Sequence, residues 1–166
     1  MALKIELLEK KYNKSNFNCG QSLLDDYIKR QAKQDVSRDL SACFVLVDEI
    51  DAVIGYYTLS ANSVRKEDFP ETLQKKWPPS YQDLPTILLG RLAIDNSLKG
   101  RGYGQILIID ALKRSLGIAE SLGTLAVVVD PIDEIAKGFY ARYGFILLPT
   151  SGKMFLPMKT IAELLS

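Results

Sequence analysis

The stretch Leu89-Gly-Arg-Leu-Ala-Ile-Asp-Asn-Ser-Leu-Lys-Gly-Arg-Gly-Tyr-Gly, residues 89–104, decides the fold. Its first part completes the apolar, β-branched run 86–94, which predicts a buried strand. Its last part opens segment 104–117, where apolar residues recur at helical spacing. The centre of the predicted structure is therefore a strand that turns through a glycine-rich loop directly into a helix.

The loop 99–104 has the chemistry of an anion site. Its glycines let the backbone turn tightly and approach a ligand closely. The following helix N-terminus presents unpaired N–H groups and the positive end of its dipole. Lys99 and Arg101 add positive charge at the same place. Phosphate binding is the direct interpretation, and a glycine-rich connection with solvated basic residues is the alternative.

Two common nucleotide-binding motifs do not fit this loop. A P-loop requires G-x-x-x-x-G-K-[ST], which is absent from the sequence. A dinucleotide fingerprint requires a third glycine, but Gln105 stands where that glycine would follow Gly100 and Gly102. What remains is a basic residue followed by x-x-Gly-x-Gly, from Lys99 to Gly104.

Hydrophobic periodicity outside this segment predicts a mixed sheet. Strands are expected at 3–8, 42–47, 53–60, 86–94, 124–129, 145–148 and 153–158, and helices at 22–32, 104–117, 132–143 and 160–165. The polar, proline-containing segment 65–85 predicts a surface excursion with at most one short helix, at 70–76. Strands 86–94 and 124–129 flank a helix and should be parallel. The pairs 42–47 with 53–60 and 145–148 with 153–158 should be antiparallel hairpins. The predicted class is α/β (α+β).

Local patterns predict which side chains begin and bury the helices. Ser22 with Asp25 resembles a capping box at the start of the first helix. The expected apolar faces are Leu23, Leu24, Tyr27, Ile28 and Ala32 in the first helix, and Ile106, Leu107, Ile108, Ala111 and Leu112 in the second. Phe139 and Tyr143 are four residues apart and predict a core face, which Tyr140 need not share.

Composition excludes several function classes. A chain of 166 residues suits one domain, 1–166, and its net charge of +1 gives no global field for nucleic acid or membrane. The absence of histidine excludes a His-dependent triad and argues against a zinc hydrolase. Cys19 and Cys43 have no metal-like spacing, and Cys43 is expected in the core. No metal, signal peptide or membrane span is predicted, so the cytoplasm is the expected compartment.

Residues 89–104 resemble the coenzyme A-binding strand, loop and helix of GNAT N-acetyltransferases, whose consensus is Gln/Arg-x-x-Gly-x-Gly/Ala. Lys99 departs from the usual Gln or Arg. Phe139-Tyr-Ala-Arg-Tyr-Gly-Phe likewise resembles the family motif F-Y-x-x-x-G-F. The resemblance implies a GNAT-like, mostly antiparallel twisted sheet with flanking helices, and acetyl-CoA as cosubstrate. The cofactor-binding residues that it implies are Leu92, Ala93, Ile94, Lys99, Gly100, Arg101, Gly102, Tyr103, Gly104 and Phe139.

The resemblance also implies roles in acetyl transfer. Backbone groups near 92–94 would hold the pantetheine and polarise the acetyl carbonyl, and Tyr140 would donate to the sulfur, with Tyr143 as the second choice. No obvious general base exists. Deprotonating a lysine amine at neutral pH costs roughly 4 kcal/mol, against about 1 kcal/mol for an α-amine. An aminoacyl ester is therefore a better-matched acceptor than a lysine side chain.

A narrower resemblance covers nearly the whole chain. Phe17-Asn-Cys-Gly with Leu23-Leu-Asp-Asp-Tyr, Gly55-Tyr-Tyr-Thr-Leu-Ser-Ala and Leu89-Gly-Arg-Leu-Ala are similar to GNAT toxins of bacterial toxin–antitoxin pairs. It implies an aminoacyl-tRNA substrate and a ribbon-helix-helix antitoxin as partner. Arg91, Lys99, Arg101, Lys113 and Arg114 are candidates to face a polyanion, although coenzyme A phosphates and solvent could account for them.

Two other functions remain open at this level. One is a GNAT enzyme that acetylates a small-molecule amine or a protein amine. The other is a catalytically silent GNAT fold that binds coenzyme A or a partner protein. The oligomeric state is also open, a homodimer included.

Overall fold

The computed structural model describes residues 2–166 and has a mixed sheet with helices. Its elements in chain order are β1 (Lys4–Leu7), α1 (Ser22–Asp26), a π-helical turn (Tyr27–Gln31), α2 (Ala32–Ser37), β2 (Ala42–Val47), β3 (Val53–Arg65), a 3-10 turn (Lys66–Asp68), α3 (Glu71–Gln74), β4 (Asp83–Ile94), a 3-10 turn (Asn96–Leu98), α4 (Tyr103–Ala119), β5 (Ala126–Val129), α5 (Glu134–Ala141), β6 (Ile146–Leu147), β7 (Met154–Pro157) and α6 (Met158–Leu165).

The seven strands lie in the order β1-β2-β3-β4-β5-β7-β6. The β4–β5 pair is parallel, with Ile87 opposite Val127. The pairs β1–β2, β2–β3, β5–β7 and β6–β7 are antiparallel. The predicted parallel pair, the two hairpins and the mixed, mostly antiparallel sheet are therefore confirmed.

Backbone contacts divide the chain into two compact units. The first contains residues up to Ser60 together with Gly90–Ala111, and the second contains Ala61–Leu89 with Leu112–Ser166. One apolar cluster in the first unit joins helical Tyr27 and Ile28 to strand residues such as Val45 and Tyr56. In the second, Phe69 packs edge-to-face on Trp77 and Phe155. The single domain 1–166 stays a prediction.

Three local predictions are corrected. The residue before α1 is Gln21, which makes no side-chain cap bond, and the Asp25 carboxylate instead accepts from the Cys19 N–H at 2.8 Å. Leu23 and Ile106, expected on apolar faces, are 81% and 46% exposed. Ile106 lies about 100° around the helix from Leu107, which is fully buried, so it falls beside the buried face.

The central strands are longer than predicted. β3 continues to Arg65 and β4 starts at Asp83, so the excursion between them is shorter than the predicted 65–85. It holds the 3-10 turn and α3, close to the predicted helix at 70–76. Among residues 2–166, no helix is both long enough and apolar enough to cross a membrane.

Candidate functional site

The glycine-rich loop lies between the end of β4 and the start of α4, inside the first unit. Gly100 and Gly102 have φ angles of +77° and +84°, in the left-handed region that favours glycine. A Cβ added at either position would meet no heavy atom within 4 Å. The backbone conformation, not packing, therefore requires glycine here, and the space beside both residues is open to a ligand.

Asp95 fixes the turn that precedes this loop. Its carboxylate accepts from the Ser97 N–H and Oγ at 3.0 and 2.6 Å and from the Asn18 N–H at 2.9 Å. Partial burial alone would raise the pKa of Asp95, but the hydrogen bonds from Ser97 and Asn18 outweigh it and lower that pKa. The carboxylate is thus held ionised as a three-bond anchor for the loop.

Lys99 ties the loop to the segment before α1. Its Nζ donates to the Cys19 carbonyl oxygen at 2.5 Å, and the Asn96 N–H donates to the Asn18 carbonyl at 2.8 Å. An ammonium group has three donors, so this bond leaves Lys99 able to contact an anion as well. Arg101 is exposed and forms no ion pair with any residue in the range 2–166.

Residues 103 and 104 begin α4, a 17-residue helix. Tyr103 and Gly104 are half-buried. The first turn of any helix has N–H groups without intrahelical acceptors, and here they follow directly on the open glycine loop. The arrangement is that of a backbone anion site at a helix N-terminus.

The carboxyl end of β4 is packed closely from one side. Ala93 and Ile94 are buried and Leu92 is half-buried. A Cβ on Gly55 of β3 would lie 2.8 Å from Ile94 Cδ1 and 3.2 Å from the Ala93 oxygen. The absence of a side chain at Gly55 therefore lets β3 lie close to Ala93 and Ile94. The sequence analysis did not predict this contact, although a glycine within a strand indicates such close packing.

Tyr140 lies on α5 in the second unit, where the Asp133 side chain caps the helix by accepting from the Ala136 N–H at 2.8 Å. Tyr140 is only 7% exposed. Its ring packs edge-to-face on Phe139 and Phe145, with centroids 5.3 and 5.4 Å away. Phe139 and Tyr143, expected to form the core face, are only half-buried. The burial prediction for this helix is therefore wrong, since Tyr140 is its buried aromatic residue.

The Tyr140 hydroxyl has no hydrogen-bond partner within residues 2–166. Its oxygen is not among the fully buried side-chain atoms that lack a partner, so water or a ligand can reach it. Burial also raises the pKa of Tyr140 above its ordinary value. The hydroxyl is therefore protonated and is held in place by aromatic packing. It donates a hydrogen bond to none of the described residues and is free to donate one to a ligand.

The two cysteines are not suited to act as acyl-accepting nucleophiles. Burial raises the pKa of Cys43 to about 12, and burial with the nearby Asp25 raises that of Cys19 to about 11. A thiol is nucleophilic as the thiolate, so both remain unreactive near neutral pH. The expected core position of Cys43 is confirmed, because it is fully buried.

The basic residues expected to face a polyanion have differing environments. The Arg91 guanidinium lies 3.6 Å from the ring centroid of Tyr27, whose hydroxyl donates to Asp35 at 2.8 Å. Arg91 is thus engaged in an internal cation–π contact. Lys113 is exposed and Arg114 half-buried. Within residues 2–166 no group of three or more His, Cys, Asp or Glu could hold a metal ion.

Comparison with known proteins assigns the chain to a family. The model of the acetyltransferase (GNAT) family matches residues 5–145. The tRNA-acetylating toxin of Mycobacterium tuberculosis (strain ATCC 25618 / H37Rv) is 35% identical over 136 residues, which are 82% of this chain and 80% of that protein.

Two solved structures are similar over nearly their full lengths. AtaT complexed with acetyl-methionyl-tRNAfMet is 30% identical, with a TM-score of 0.91 over 99% of this chain and 100% of that chain. A mutant AtaT toxin bound to the C-terminus of the antitoxin AtaR and acetyl-CoA is 26% identical, with a TM-score of 0.83 over 99% and 98%. The chain described here belongs to the acetyltransferase (GNAT) family.

Proposed function

We propose that the protein is an acetyl-CoA-dependent N-acetyltransferase that acts as a toxin by acetylating the α-amino group of aminoacyl-tRNA. The observation that carries the proposal is the anchored glycine loop, with open space beside Gly100 and Gly102 at the start of α4. The acceptor is inferred from the similarity to a tRNA-acetylating toxin over 82% of the chain.

The residues of the first unit fit the phosphate-bearing end of acetyl-CoA. Backbone N–H groups from Gly100 to Gly104 would bind the pyrophosphate, and Arg101 and Lys99 would add positive charge. Backbone groups of 92–94 would hold the pantetheine arm, as the sequence resemblance implies. Phe139 is assigned to the cofactor by the same resemblance. Bound acetyl-CoA supplies an acetyl group as a thioester.

Tyr140 is the proposed acid. In the overall exchange the acceptor amine loses a proton and gains the acetyl group as an amide, while the thiolate leaves and takes up a proton. A donor aimed at the sulfur stabilises the charge that develops there. Its unused hydroxyl and raised pKa support this role, because the group stays protonated at neutral pH.

The acceptor amine is expected to react without a general base from the protein, because it is already largely deprotonated. The chain has no histidine. An α-amine with a pKa of about 7.7–8.0, lowered further by the electron-withdrawing ester, is substantially neutral at physiological pH. An aminoacyl ester is therefore the acceptor class that least requires a protein base.

The pH profile of kcat/KM tests this division of roles. We expect the rate to rise with pH along one ionisation, that of the acceptor amine, and to show no fall between about pH 7 and 9. The reason is that an acid with a raised pKa remains protonated beyond the ordinary tyrosine value of about 10. Initial rates with a charged tRNA should reveal the shape. A falling limb centred below pH 9 would mean that another, more acidic group donates the proton.

The proposal extends to partners and compartment. An antitoxin is expected, since the similar AtaT toxin is bound to the C-terminus of its antitoxin AtaR, and we expect a ribbon-helix-helix protein. A cytoplasmic location fits an enzyme whose acceptor is charged tRNA. A homodimer is the assembly that we would test first by light scattering.

Expression in bacteria tests the toxin assignment. Wild-type protein should arrest growth because an acetylated α-amine cannot form a peptide bond. The Tyr140→Phe variant, produced at equal level, should be harmless. Coexpression of the cognate antitoxin should restore growth. Growth that continues unaffected, while purified enzyme acetylates a polyamine or free amino acid rapidly, would replace the toxin assignment by a small-molecule acetyltransferase.

A further inference from the structure

Two adjoining cavities in the first unit are surrounded by basic side chains. One, of about 830 Å³, lies between the segment after β1 and helix α2. The other, of about 590 Å³, continues from that segment to the π-helical turn. Their shared rim includes Lys10, Lys11 and Lys14. We call the six cations that line them the basic surface: Lys10, Lys11, Lys14, Lys29, Arg30 and Lys33.

The charge of the basic surface is strongly local. Glu9 is the one acidic residue lining either cavity. The whole chain has 21 Lys and Arg against 20 Asp and Glu. Outside the cavity linings, 15 basic residues therefore face 19 acidic ones. The residues that line the two cavities therefore carry a net charge of +5, while the carboxylates of Glu6 and Asp51 also act on Tyr12 of that lining.

These cations are hardly neutralised within the protein. Lys11 approaches Glu9 at 3.8 Å. The other five form no ion pair with any residue from 2 to 166. Cations that line the same cavities without carboxylate partners create a positive potential that attracts an external anion. A cluster of this kind is therefore better explained by an external polyanion than by internal structure.

The scaffold beneath the basic surface is firmly held. The Asn13 N–H donates to the Asp51 carbonyl at 2.8 Å, and the Val53 N–H donates back to the Asn13 carbonyl at 2.8 Å. Tyr12 is 3% exposed, and its hydroxyl donates to Glu6. The lysines consequently project from a backbone that does not need to be ordered when a ligand binds.

The chemistry of the lining indicates which polyanion fits. Five of the six cations are lysines, compact point charges without the planar fork that pairs with a carboxylate in two-point geometry. The aromatic residue of the lining, Tyr12, is buried and cannot stack on a base. A ligand with regularly spaced charges and no required base contact matches both features, and the phosphate backbone of an RNA duplex is such a ligand.

We propose that the basic surface binds the phosphate backbone of the tRNA acceptor, independently of base sequence and separately from the acetyl-CoA loop. This inference rests on the proposed function, because it identifies where that function obtains affinity for its substrate. It assigns Lys10 and Lys33, both exposed, to phosphate contacts. None of the six was selected as a candidate site residue from the sequence.

The test compares two double variants of equal charge. Lys10→Gln with Lys33→Gln removes two cations of the basic surface. Lys75→Gln with Lys76→Gln removes two exposed cations that follow α3 and line neither cavity. Binding of uncharged tRNA is measured by fluorescence anisotropy from about 0.05 to 0.3 M salt. Acetyl-CoA thermal shifts establish that both variants are folded.

We expect Lys10→Gln/Lys33→Gln to bind tRNA roughly ten- to thirty-fold more weakly near 0.15 M salt. The slope of log binding constant against log salt concentration should become less steep by about 1.4–1.8. The control should stay within two-fold of the wild type. The same loss should appear with an RNA hairpin of scrambled sequence. Equal tRNA affinity of both variants and the wild type would overturn the inference.

The outcomes also separate this inference from the proposed function. If the wild type acetylates charged tRNA while Lys10→Gln/Lys33→Gln binds tRNA normally, the basic surface is wrong and the function stands. If the wild type neither binds nor acetylates tRNA, both fail. If the variant loses binding of a polyglutamate peptide but retains tRNA affinity, the basic surface binds an acidic protein segment and the inference is overturned.

Discussion

Replacing Tyr140 by Phe should reduce kcat on charged tRNA by about 10²–10⁴-fold, the range that general acid catalysis contributes. Only the hydroxyl is removed, so acetyl-CoA should bind as before. The melting temperature should change little, because the aromatic ring that packs in the core is retained and the hydroxyl makes no hydrogen bond to the described residues. Steady-state kinetics and thermal unfolding on the same samples measure both effects.

Tyr143→Phe is the matched control for that variant. Tyr143 follows the end of α5 and is half-buried, and its ring centroid lies 5.3 Å from that of Phe139. Its loss should change kcat by less than ten-fold. If Tyr143→Phe abolishes turnover and Tyr140→Phe does not, the assignment of the acid moves to Tyr143.

Replacing Gly102 by Asp should abolish detectable acetyl-CoA binding. The substitution brings a carboxylate to the place proposed for the pyrophosphate, and it forces an L-residue into a backbone with φ of +84°. A Cβ there meets no protein atom within 4 Å, so the fold should survive. Saturating acetyl-CoA, at about 100 times Kd, stabilises the wild type by about 2.7 kcal/mol, and this thermal shift should disappear.

Gly152→Asp separates backbone strain from the effect on the cofactor. Gly152 has φ of +78° and equally open surroundings, but it lies in the turn between β6 and β7. It should lose a similar amount of stability, of the order of 1–2 kcal/mol, and keep the full acetyl-CoA shift. A normal shift in Gly102→Asp would remove the phosphate assignment from the loop.

The fold could be predicted well where local signals agree. From 86 to 117, β-branched residues, glycines and helical periodicity predict one strand–loop–helix unit, which the structure contains as β4, the glycine loop and α4. The hairpin of β2 and β3 was similarly clear from its polar turn. The π-helical turn at Tyr27–Gln31 has no comparable sequence signal, because it depends on how the surrounding helical segments pack.

The backbone conformation of the glycine loop could be predicted from the sequence, whereas the burial of the Tyr140 side chain could not. Glycines signal the left-handed backbone at 100 and 102 directly. The burial of Tyr140 depends on Phe145, which reaches it only after the chain turns at Gly144, with φ of +97°. Periodicity along an eight-residue helix cannot reveal which face such a contact covers.

The basic surface could not be recognised from sequence because its members come from two separate segments. Residues 10–14 and 29–33 each mix cations with polar and apolar residues, and the first half of the chain has balanced charge. Only the folded arrangement brings both sets to the same cavities. Charge clustering of this kind is a property of the tertiary structure.

The central claim is that the enzyme transfers acetyl to the α-amine of an aminoacyl-tRNA. The most direct measurement incubates purified protein and labelled acetyl-CoA with charged tRNA, with the same tRNA uncharged, and with free amino acids and polyamines. The account predicts label on charged tRNA alone, released as an N-acetylated amino acid when the ester is hydrolysed. Unlabelled charged tRNA beside a rapidly acetylated free amine would contradict it.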